Sequence, residues 1–192
     1  MKVWITADTH FGSPEILNVA SRSQFSTIEE HDDHLLSYIN NLVHRNDRLI
    51  VAGDFGKEQY RHRITCKDVV LIRGNHDKKN PKLFTRVLDG LSVRCPDGFK
   101  IWVSHYPHAY WDGSHNGHGH VYGHVHSLRE QTLDNRFPER RSIDIGVDNA
   151  KRLLGEYRPF SLEEIHERLI RRIGHDQLSF YRVLDEQKAK AK

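Results

Sequence analysis

Seven side chains with oxygen or nitrogen donors occur along the chain in short groups that could bind metal ions. They are Asp8, His10, Asp54, Asn75, His105, His124 and His126. Two of the groups have members spaced i and i+2, and such residues point to the same side of an extended chain, so each group can act as a pair. A tetrahedral metal usually takes three or four protein ligands, which makes seven donors too many for one ion. The set fits two metal ions that share one ligand.

Paired ions of this kind would support hydrolysis. Two ions about 3.5–4 Å apart, bridged by a carboxylate, can activate a water between them and hold the oxygens of a phosphate group. Asp54 is the natural bridging ligand, because it stands isolated between glycines in "AGDFG". Taken singly, each group also has a simpler interpretation as a polar turn, a helix cap or a structural zinc half-site. The complete set in this order favours the metal site.

The groups follow short apolar runs that are typical of buried strands. The runs are "KVWITA", "RLIVAG" and "DVVLIRG", and each stops at polar residues of the set. "LSVRCPDGFKIWVSH" predicts two more strands joined around Pro-Asp-Gly, the second ending at His105, and "RSIDIGVDN" predicts another. In open α/β proteins ligands gather at strand ends, because side chains from several strands can converge there. We therefore expect the seven donors to form one site.

Three helices are predicted between these strands. "TIEEHDDHLLSYINNLVHR" has Thr27 and Glu30 in capping-box positions, and "SLEEIHERLIRRI" has Ser161 and Glu164 in the equivalent positions. "PKLFTRVL" predicts a helix with Pro81 in its first turn. "LSFYRVL" could be a strand or a helix.

The composition limits the class of protein. At 192 residues, 37% of them hydrophobic and 29% charged, the chain is expected to form one globular domain over residues 1–185, with a disordered tail at residues 186–192. No apolar run approaches the roughly 20 residues that a membrane helix needs, and no secretory signal pattern is present. Together with two isolated cysteines, this favours the cytoplasm. A net charge of +3 would tolerate an anionic substrate, and the scattered basic residues permit nucleic acid without requiring it.

The order of the motifs resembles that of the calcineurin-like metallophosphoesterases. The motifs are Asp8-x-His10, Gly53-Asp54, Gly74-Asn75-His76-Asp77, His105 and Gly123-His124-x-His126. The resemblance covers about residues 1–160, and the segments "GVDN" and "RPFSLEEI" are most similar to small single-domain members from bacteria and their viruses. It implies an α/β fold, a four-layer α-β-β-α sandwich of two mixed sheets flanked by helices.

The resemblance also implies a role for each residue. The first metal ion would be held by Asp8, His10, Asp54 and His126. The second would be held by Asp54, Asn75, His105 and His124. His76 would face the substrate and stabilise the transition state or protonate the leaving oxygen, with Asp77 orienting it. The nucleophile would be a water or hydroxide bridging the ions; manganese is the expected metal, and iron, nickel, cobalt and zinc also suit the donors.

Departures from the protein phosphatases of this superfamily favour a phosphodiester substrate. Their aspartate motif continues to an Asp-Arg-Gly whose arginine grips a dianionic monoester, whereas this chain reads "GDFGKEQYRHR" and lacks that arginine. The ending of "GNHD" also differs from their "GNHE". Arg22, Arg73 and His108 lie near motifs and are candidates for binding the substrate, which is expected to be a small phosphate ester such as a nucleotide.

The same motifs fit three alternatives to a phosphodiesterase. A phosphomonoesterase or a nuclease of the same superfamily stays open, although no basic stripe with interleaved aromatic residues favours the nuclease. A noncatalytic scaffold of this fold, like one retromer subunit, would be expected to lose ligands, and all seven are present. His115, His118 and His120 lie outside the motifs and are interpreted as part of a polar loop near the mouth of the site.

Overall fold

The computed structural model describes residues 1–137 and 140–172, in which two β-sheets face each other. The first sheet has the strand order β4-β3-β2-β1-β9 and the second the order β5-β6-β7-β8. The strands are β1 (Val3–Thr6), β2 (Arg48–Val51), β3 (Asp68–Ile72), β4 (Arg86–Leu88), β5 (Leu91–Arg94), β6 (Lys100–Val103), β7 (Gly119–Tyr122), β8 (Ser142–Asp144) and β9 (Phe160–Ser161). The helices of the described part are α1 (Ile28–Leu42), α2 (Glu130–Arg136), α3 (Val147–Leu154) and α4 (Leu162–Ile170).

Both sheets are mixed, as predicted. In the first sheet β1 to β4 are parallel, and the short β9 pairs antiparallel with β1. In the second sheet β6, β7 and β8 are parallel, and β5 pairs antiparallel with β6 around the predicted Pro-Asp-Gly turn. The carboxyl ends of parallel strands lie at one edge of a sheet, so the loops that carry the predicted ligands leave each sheet together.

The core lies between the sheets and extends behind the first sheet. Along β2, Ile50 belongs to the cluster between the sheets, whereas Leu49 and Val51 pack with α1. Both faces of the first sheet are therefore covered, and this explains why its strands read as continuous apolar runs. On the outer side of the second sheet, the Tyr122 hydroxyl of β7 donates to Glu130 at the start of α2. The predicted α/β architecture of two mixed sheets flanked by helices is confirmed.

The two capped helices form where the sequence predicts them. The Thr27 hydroxyl accepts a hydrogen bond from the Glu30 N–H at the start of α1, while the Glu30 carboxylate accepts from the Ser26 N–H and not from that of Thr27. At α4 the capping box is complete, since Ser161 and Glu164 each accept from the other's backbone N–H.

The prediction of a helix at "PKLFTRVL" is wrong. Residues 81–85 form no helix, and Arg86–Leu88 is the edge strand β4, parallel to β3. The N–H groups of Lys82 and Leu83, which would begin such a helix, donate to the carboxylate of Glu58. Backbone groups on the open side of β3 are satisfied by pairing with β4, and this tertiary demand outweighs a local helical pattern.

Part of the predictions lies outside the described residues. "LSFYRVL" and the tail predicted at residues 186–192 both fall there. Within residues 1–137 and 140–172, no helix is long and apolar enough to cross a membrane.

Candidate metal centre

The predicted ligands converge at the carboxyl ends of five strands. Asp8 and His10 follow β1, Asp54 follows β2 and Asn75 follows β3, while the three other histidines follow β6 and β7. Two groups of side chains have ligand atoms within 4.8 Å of one another. The groups are Asp8, His10 and His126, and Asp54, His105 and His124. The site therefore takes side chains from both sheets.

Asp54 links the two groups. Its Oδ2 atom lies 3.6 Å from Nε2 of His10 and 3.4 Å from Nε2 of His105. Asn75 joins the second group, because its Oδ1 atom lies 3.0 Å from the same His105 nitrogen. Six of the seven donors thus fall into two triads, with one carboxylate oxygen within 4 Å of a histidine of each.

An unpaired nitrogen supports the binding of a cation. Nε2 of His10 is buried and has no hydrogen-bond partner among the residues that the structure describes. A buried polar atom without a partner is costly, and its usual explanation is an ion or a water that satisfies it. Burial lowers the pKa of His10 to about 3, so the imidazole is neutral and its lone pair is free to coordinate. The residues present therefore fit a divalent metal ion.

The backbone of the ligands is left-handed rather than extended. Positive φ angles are found at five of the seven ligands. These are Asp8 (58°), His10 (48°), Asp54 (53°), His124 (72°) and His126 (47°). Asp8 and His10 fall in the same group, whereas His124 and His126 are divided between the two groups, and the predicted reason for pairing, an extended chain, is wrong. Such conformations cost of the order of 1–3 kcal/mol each and cluster at functional sites, where the surroundings enforce them.

The glycines of the motifs leave room for ligands. A Cβ atom at Gly53 would collide with the His105 ring, and one at Gly123 would stand 2.6 Å from Oδ2 of Asp8. A Cβ at Gly74 would collide with the carboxylate of Asp54. Asp54, Asn75 and His124 are each preceded by a glycine. At each of these positions a side chain would collide with a proposed ligand from a different strand.

Burial and hydrogen bonds shift the pKa values of Asp8 and Asp54 in opposite directions. Burial raises the pKa of Asp8 to about 6, although the nearby His126 and His105 oppose the rise. Burial also opposes the ionisation of Asp54, but hydrogen bonds from the His105 ring and the His76 N–H outweigh it and hold the pKa of Asp54 at about 2. The linking carboxylate is therefore anionic.

A protein-family model also matches the sequence of this chain. The model of the calcineurin-like phosphoesterase superfamily domain matches residues 1–141, which is more than half of the chain. The chain belongs to this superfamily. The match ends before β8, so the superfamily model includes all seven predicted ligands of this chain.

Relatives of this chain occur in an archaeon and a phage. It is 30% identical to the uncharacterized protein MJ1445 of Methanocaldococcus jannaschii, over 85% of this chain and 89% of that protein. It is 24% identical to the Gene 66 protein of Mycobacterium phage L5, over 85% of this chain and 95% of that protein. A solved protein of unknown function, AQ665 from Aquifex aeolicus, superposes with a TM-score of 0.68 at 23% identity, over 86% of this chain and 98% of the other, and has the same fold.

His76 faces a cleft beside the two groups. The cleft has a volume of about 320 Å³ and is lined by His10, Ser13, Glu15, Ile16, His76 and His126. The His76 side chain is exposed, its ring centroid lies 5.3 Å from that of His10, and its N–H donates to Oδ1 of Asp54 at 2.8 Å. This position suits the predicted contact with substrate, which stays a prediction.

The contacts of the Asp77 side chain differ from the predicted ones. Its two carboxylate oxygens accept hydrogen bonds from the backbone N–H groups of Asp54, Phe55 and Gly74, at 2.8–2.9 Å. Asp77 therefore ties the loop after β2 to the loop after β3. In the described residues no hydrogen bond joins it to the His76 ring, so the predicted orientation of His76 by Asp77 is not found.

Two of the three candidate substrate-binding residues, Arg22 and Arg73, have their side chains engaged elsewhere. Arg22 is fully buried and forms an ion pair with Asp148, so the prediction that it contacts the substrate needs correction. Arg73 is partly exposed and donates its Nε to Asp89 at 2.9 Å. His108 is exposed on the loop after β6, where its N–H donates to Nε2 of His120.

The three additional histidines do not form one loop. His115 is exposed in the turn Ser114–Asn116, and His118 is half-buried with its Nδ1 accepting from the Lys100 N–H. His120 is fully buried within β7, and its ring packs against Trp111 and Tyr122. The interpretation as a polar loop is wrong for His120.

Asp148 is the residue that the sequence reasoning missed. Its carboxylate lies in the first turn of α3, after β8, and Oδ2 is 2.7 Å from Nδ1 of His126. The available signal was the second aspartate of "IDIGVD", an acidic residue in a mainly apolar run that continues beyond a strand. A charged residue in such a run is buried with a partner, and a histidine ligand is a common one.

Proposed function

We propose that this protein hydrolyses phosphodiesters with two divalent metal ions, manganese being the first to test. The position of Asp54 between two ligand groups carries the proposal. One ion would be held by Asp8, His10, Asp54 and His126. The other would be held by Asp54, Asn75, His105 and His124. A bound pair of ions supplies positive charge to phosphate oxygens and lowers the pKa of coordinated water.

His76 is the candidate donor to the leaving oxygen. Its exposed ring borders the cleft, and its backbone N–H is tied to Asp54, so it stays close to the reacting phosphate. A positioned histidine can transfer a proton to a departing alkoxide or stabilise its developing charge.

The charges around the cleft favour a diester. Among the described residues, the cleft lining has no arginine or lysine and includes Glu15. The guanidinium groups of Arg22 and Arg73 are paired with Asp148 and Asp89. A monoester dianion would therefore meet less positive charge than its second negative charge requires, whereas a diester carries only one negative charge. The substrate would be a small phosphodiester.

The proposal predicts metal dependence and a substrate preference. Protein stripped by a chelator should lose hydrolysis of bis(p-nitrophenyl) phosphate and regain it with Mn²⁺, and kcat/KM should be higher for this diester than for p-nitrophenyl phosphate. Asp54→Asn should lower kcat/KM at least about 100-fold, because it weakens the binding of both ions at once.

The control is Asp47→Asn. Asp47 is also a buried carboxylate, but it accepts hydrogen bonds from Lys2, Trp4 and His44 and contacts none of the seven ligands. The Asp47→Asn variant should bind metal and turn over substrate as the unmodified protein does. Full activity without metal would contradict the metal centre, and a preference for the monoester would contradict the diester.

A further inference from the structure

We infer that Asp148, clamped by Arg22, is a positioning residue that fixes the orientation and tautomer of His126 for the first metal ion. The inference rests on the proposed function, because it assigns a support to one of the proposed ligands. It adds residues from α3 and from the turn Ala20–Arg22 to the centre, and neither element carries any of the seven ligands.

The contacts of Asp148 leave its carboxylate no freedom. Oδ1 and Oδ2 accept from Nε and Nη2 of Arg22 at 2.9 and 2.7 Å, and the Ser21 hydroxyl also donates to Oδ1. Such a bidentate arginine–carboxylate pair fixes direction as well as distance. Oδ2 is then held 2.7 Å from Nδ1 of His126.

This contact decides which nitrogen of His126 can bind a metal. A neutral imidazole has one N–H and one lone pair, and the nitrogen that faces a carboxylate carries the hydrogen. Nδ1 of His126 is therefore the donor, and Nε2 keeps the lone pair for coordination. The carboxylate also makes the ring a stronger ligand, as in other sites where a carboxylate supports a metal-bound histidine.

Arg22 connects this support to the other ligand loop. Its Nη2 donates to the backbone oxygen of Asp8, and Nη1 lies 3.4 Å from that of Thr9. Nη1 also lies 3.1 Å from Nε2 of His31. One guanidinium thus holds the backbone of Asp8, from the first sheet, and the partner of His126, from the second.

The network continues to the far end of the same loop. Nδ1 of His31 is 2.8 Å from Oδ1 of Asp32, and Oδ2 of Asp32 accepts from the Gly12 N–H at 2.8 Å. Arg22, His31 and Asp32 are completely buried, and Asp148 is 1% exposed. The loop of Asp8 and His10 is therefore held at both ends by one buried polar network.

Stability alone does not account for this network. Burying two charges costs about as much as their attraction returns, and an apolar pair of similar volume often stabilises a fold as well. An apolar pair could not accept the Nδ1–H of His126 or hold the Asp8 carbonyl. Two of the contacts that need these charged groups, to the His126 ring and to the Asp8 carbonyl, lead to proposed metal ligands.

The test uses the full chain with two variants. Asp148→Asn removes the charge with little change of shape, and the double variant Arg22→Met with Asp148→Leu leaves no buried charge unpaired if the single variant fails to fold. Imidazole ¹⁵N NMR of the metal-free protein should show His126 as the Nδ1–H tautomer, and both variants should lose this preference. Calorimetric titration with Mn²⁺ should show affinity reduced about 10–100-fold at one of two sites and unchanged at the other.

The control and the opposing outcomes separate this inference from the proposed function. Asp47→Asn should retain the tautomer and both affinities, which shows that loss of a buried carboxylate is not sufficient. If both variants keep the Nδ1–H tautomer and both affinities, the positioning role is wrong and the two-metal centre stands. If the unmodified protein binds no Mn²⁺, the proposed function fails, while the tautomer measurement still decides the role of Asp148.

Discussion

His76 and Asp54 lie side by side in the centre but meet different surroundings. Asp54 is 1% exposed and has its pKa held at about 2, whereas the His76 ring borders the open cleft. Their only hydrogen bond runs from the His76 backbone, so the imidazole itself is not committed to a ligand. A residue with a fixed backbone and an unengaged ring is suited to meet a substrate.

His76→Ala should therefore leave metal content unchanged and lower turnover. A lost general acid or charge-stabilising donor costs roughly 10²–10⁴ in rate. The loss should be small for a nitrophenyl leaving group, which departs without a proton, and large for an alkoxide. Metal analysis and kcat for a matched pair of diesters check this.

The control for this variant is His108→Ala, since His108 is also exposed and follows a ligand strand. It should affect the two leaving groups equally. Loss of a metal ion in His76→Ala would show that His76 is itself a ligand, and equal losses on both diesters would show electrostatic stabilisation without proton transfer.

At this scale the sequence predicts donors well and partners poorly. The seven candidate donors come together as their residue types and positions after strands predict, while their binding of metal stays a prediction. The true partners of Arg22 and Asp77 could not be predicted, since both depend on loops that meet only in the folded chain. Arg22 and Asp148 are 126 residues apart in sequence.

Among the elements, β7 packs into the core on one side and places a buried histidine on the other. Val121 belongs to the core between the sheets, while His120 and Tyr122 point outward. The Nδ1 of His120 lies 3.0 Å from the Trp102 carbonyl, and Nε2 accepts from the His108 N–H. Both nitrogens are satisfied only when the ring is neutral, and burial lowers the pKa of His120 to about 4.

The second sheet should consequently lose stability in acid through His120. An unfolded histidine titrates near pH 6.5, so between about pH 6.5 and 4 the unfolded chain binds a proton that the folded chain does not. The stabilisation is present above pH 6.5 and is lost as the pH falls toward 4, up to roughly 3 kcal/mol. Urea unfolding of metal-free protein at pH 4–8 should give a flatter profile for His120→Gln.

The exposed His115 provides the matched control. His115→Gln should leave the pH profile of the unfolding free energy parallel to that of the unmodified protein. A slope for His120→Gln that matches both of them would mean that the buried ring is not what makes this sheet sensitive to acid.

Elements were predicted correctly where local and tertiary preferences agree. The capping residues of α1 and α4 are recognisable in the sequence. The strands β1, β2 and β3 are apolar on both faces. β4 was mistaken for a helix because its apolar spacing is helical and its role as an edge strand depends on β3. The left-handed turns at the ligands carry no sequence mark, since aspartate and histidine only tolerate the conformation.

For the molecule as a whole, the centre joins two sheets that also meet through apolar contacts and through the Arg22–Asp148 ion pair. Each proposed ion would take ligands from loops of the first sheet and of the second, as the donor groups Asp8, His10 and His126, and Asp54, His105 and His124, already indicate. The ligands come together only when both sheets are in place. An ion bound here is therefore a cross-link of the folded state.

A cross-link of this kind acts on the lifetime of the folded protein. Contacts that form after the folding transition state slow unfolding and leave the folding rate almost unchanged. Saturating Mn²⁺ should therefore lengthen the unfolding half-time in a denaturant jump, while the refolding rate stays close to that of the metal-free chain. Asp54→Asn should remove the difference, and an equal gain in refolding rate would mean that the ligands meet early. A protein built this way would persist longest where metal is plentiful and would be cleared fastest when metal is scarce.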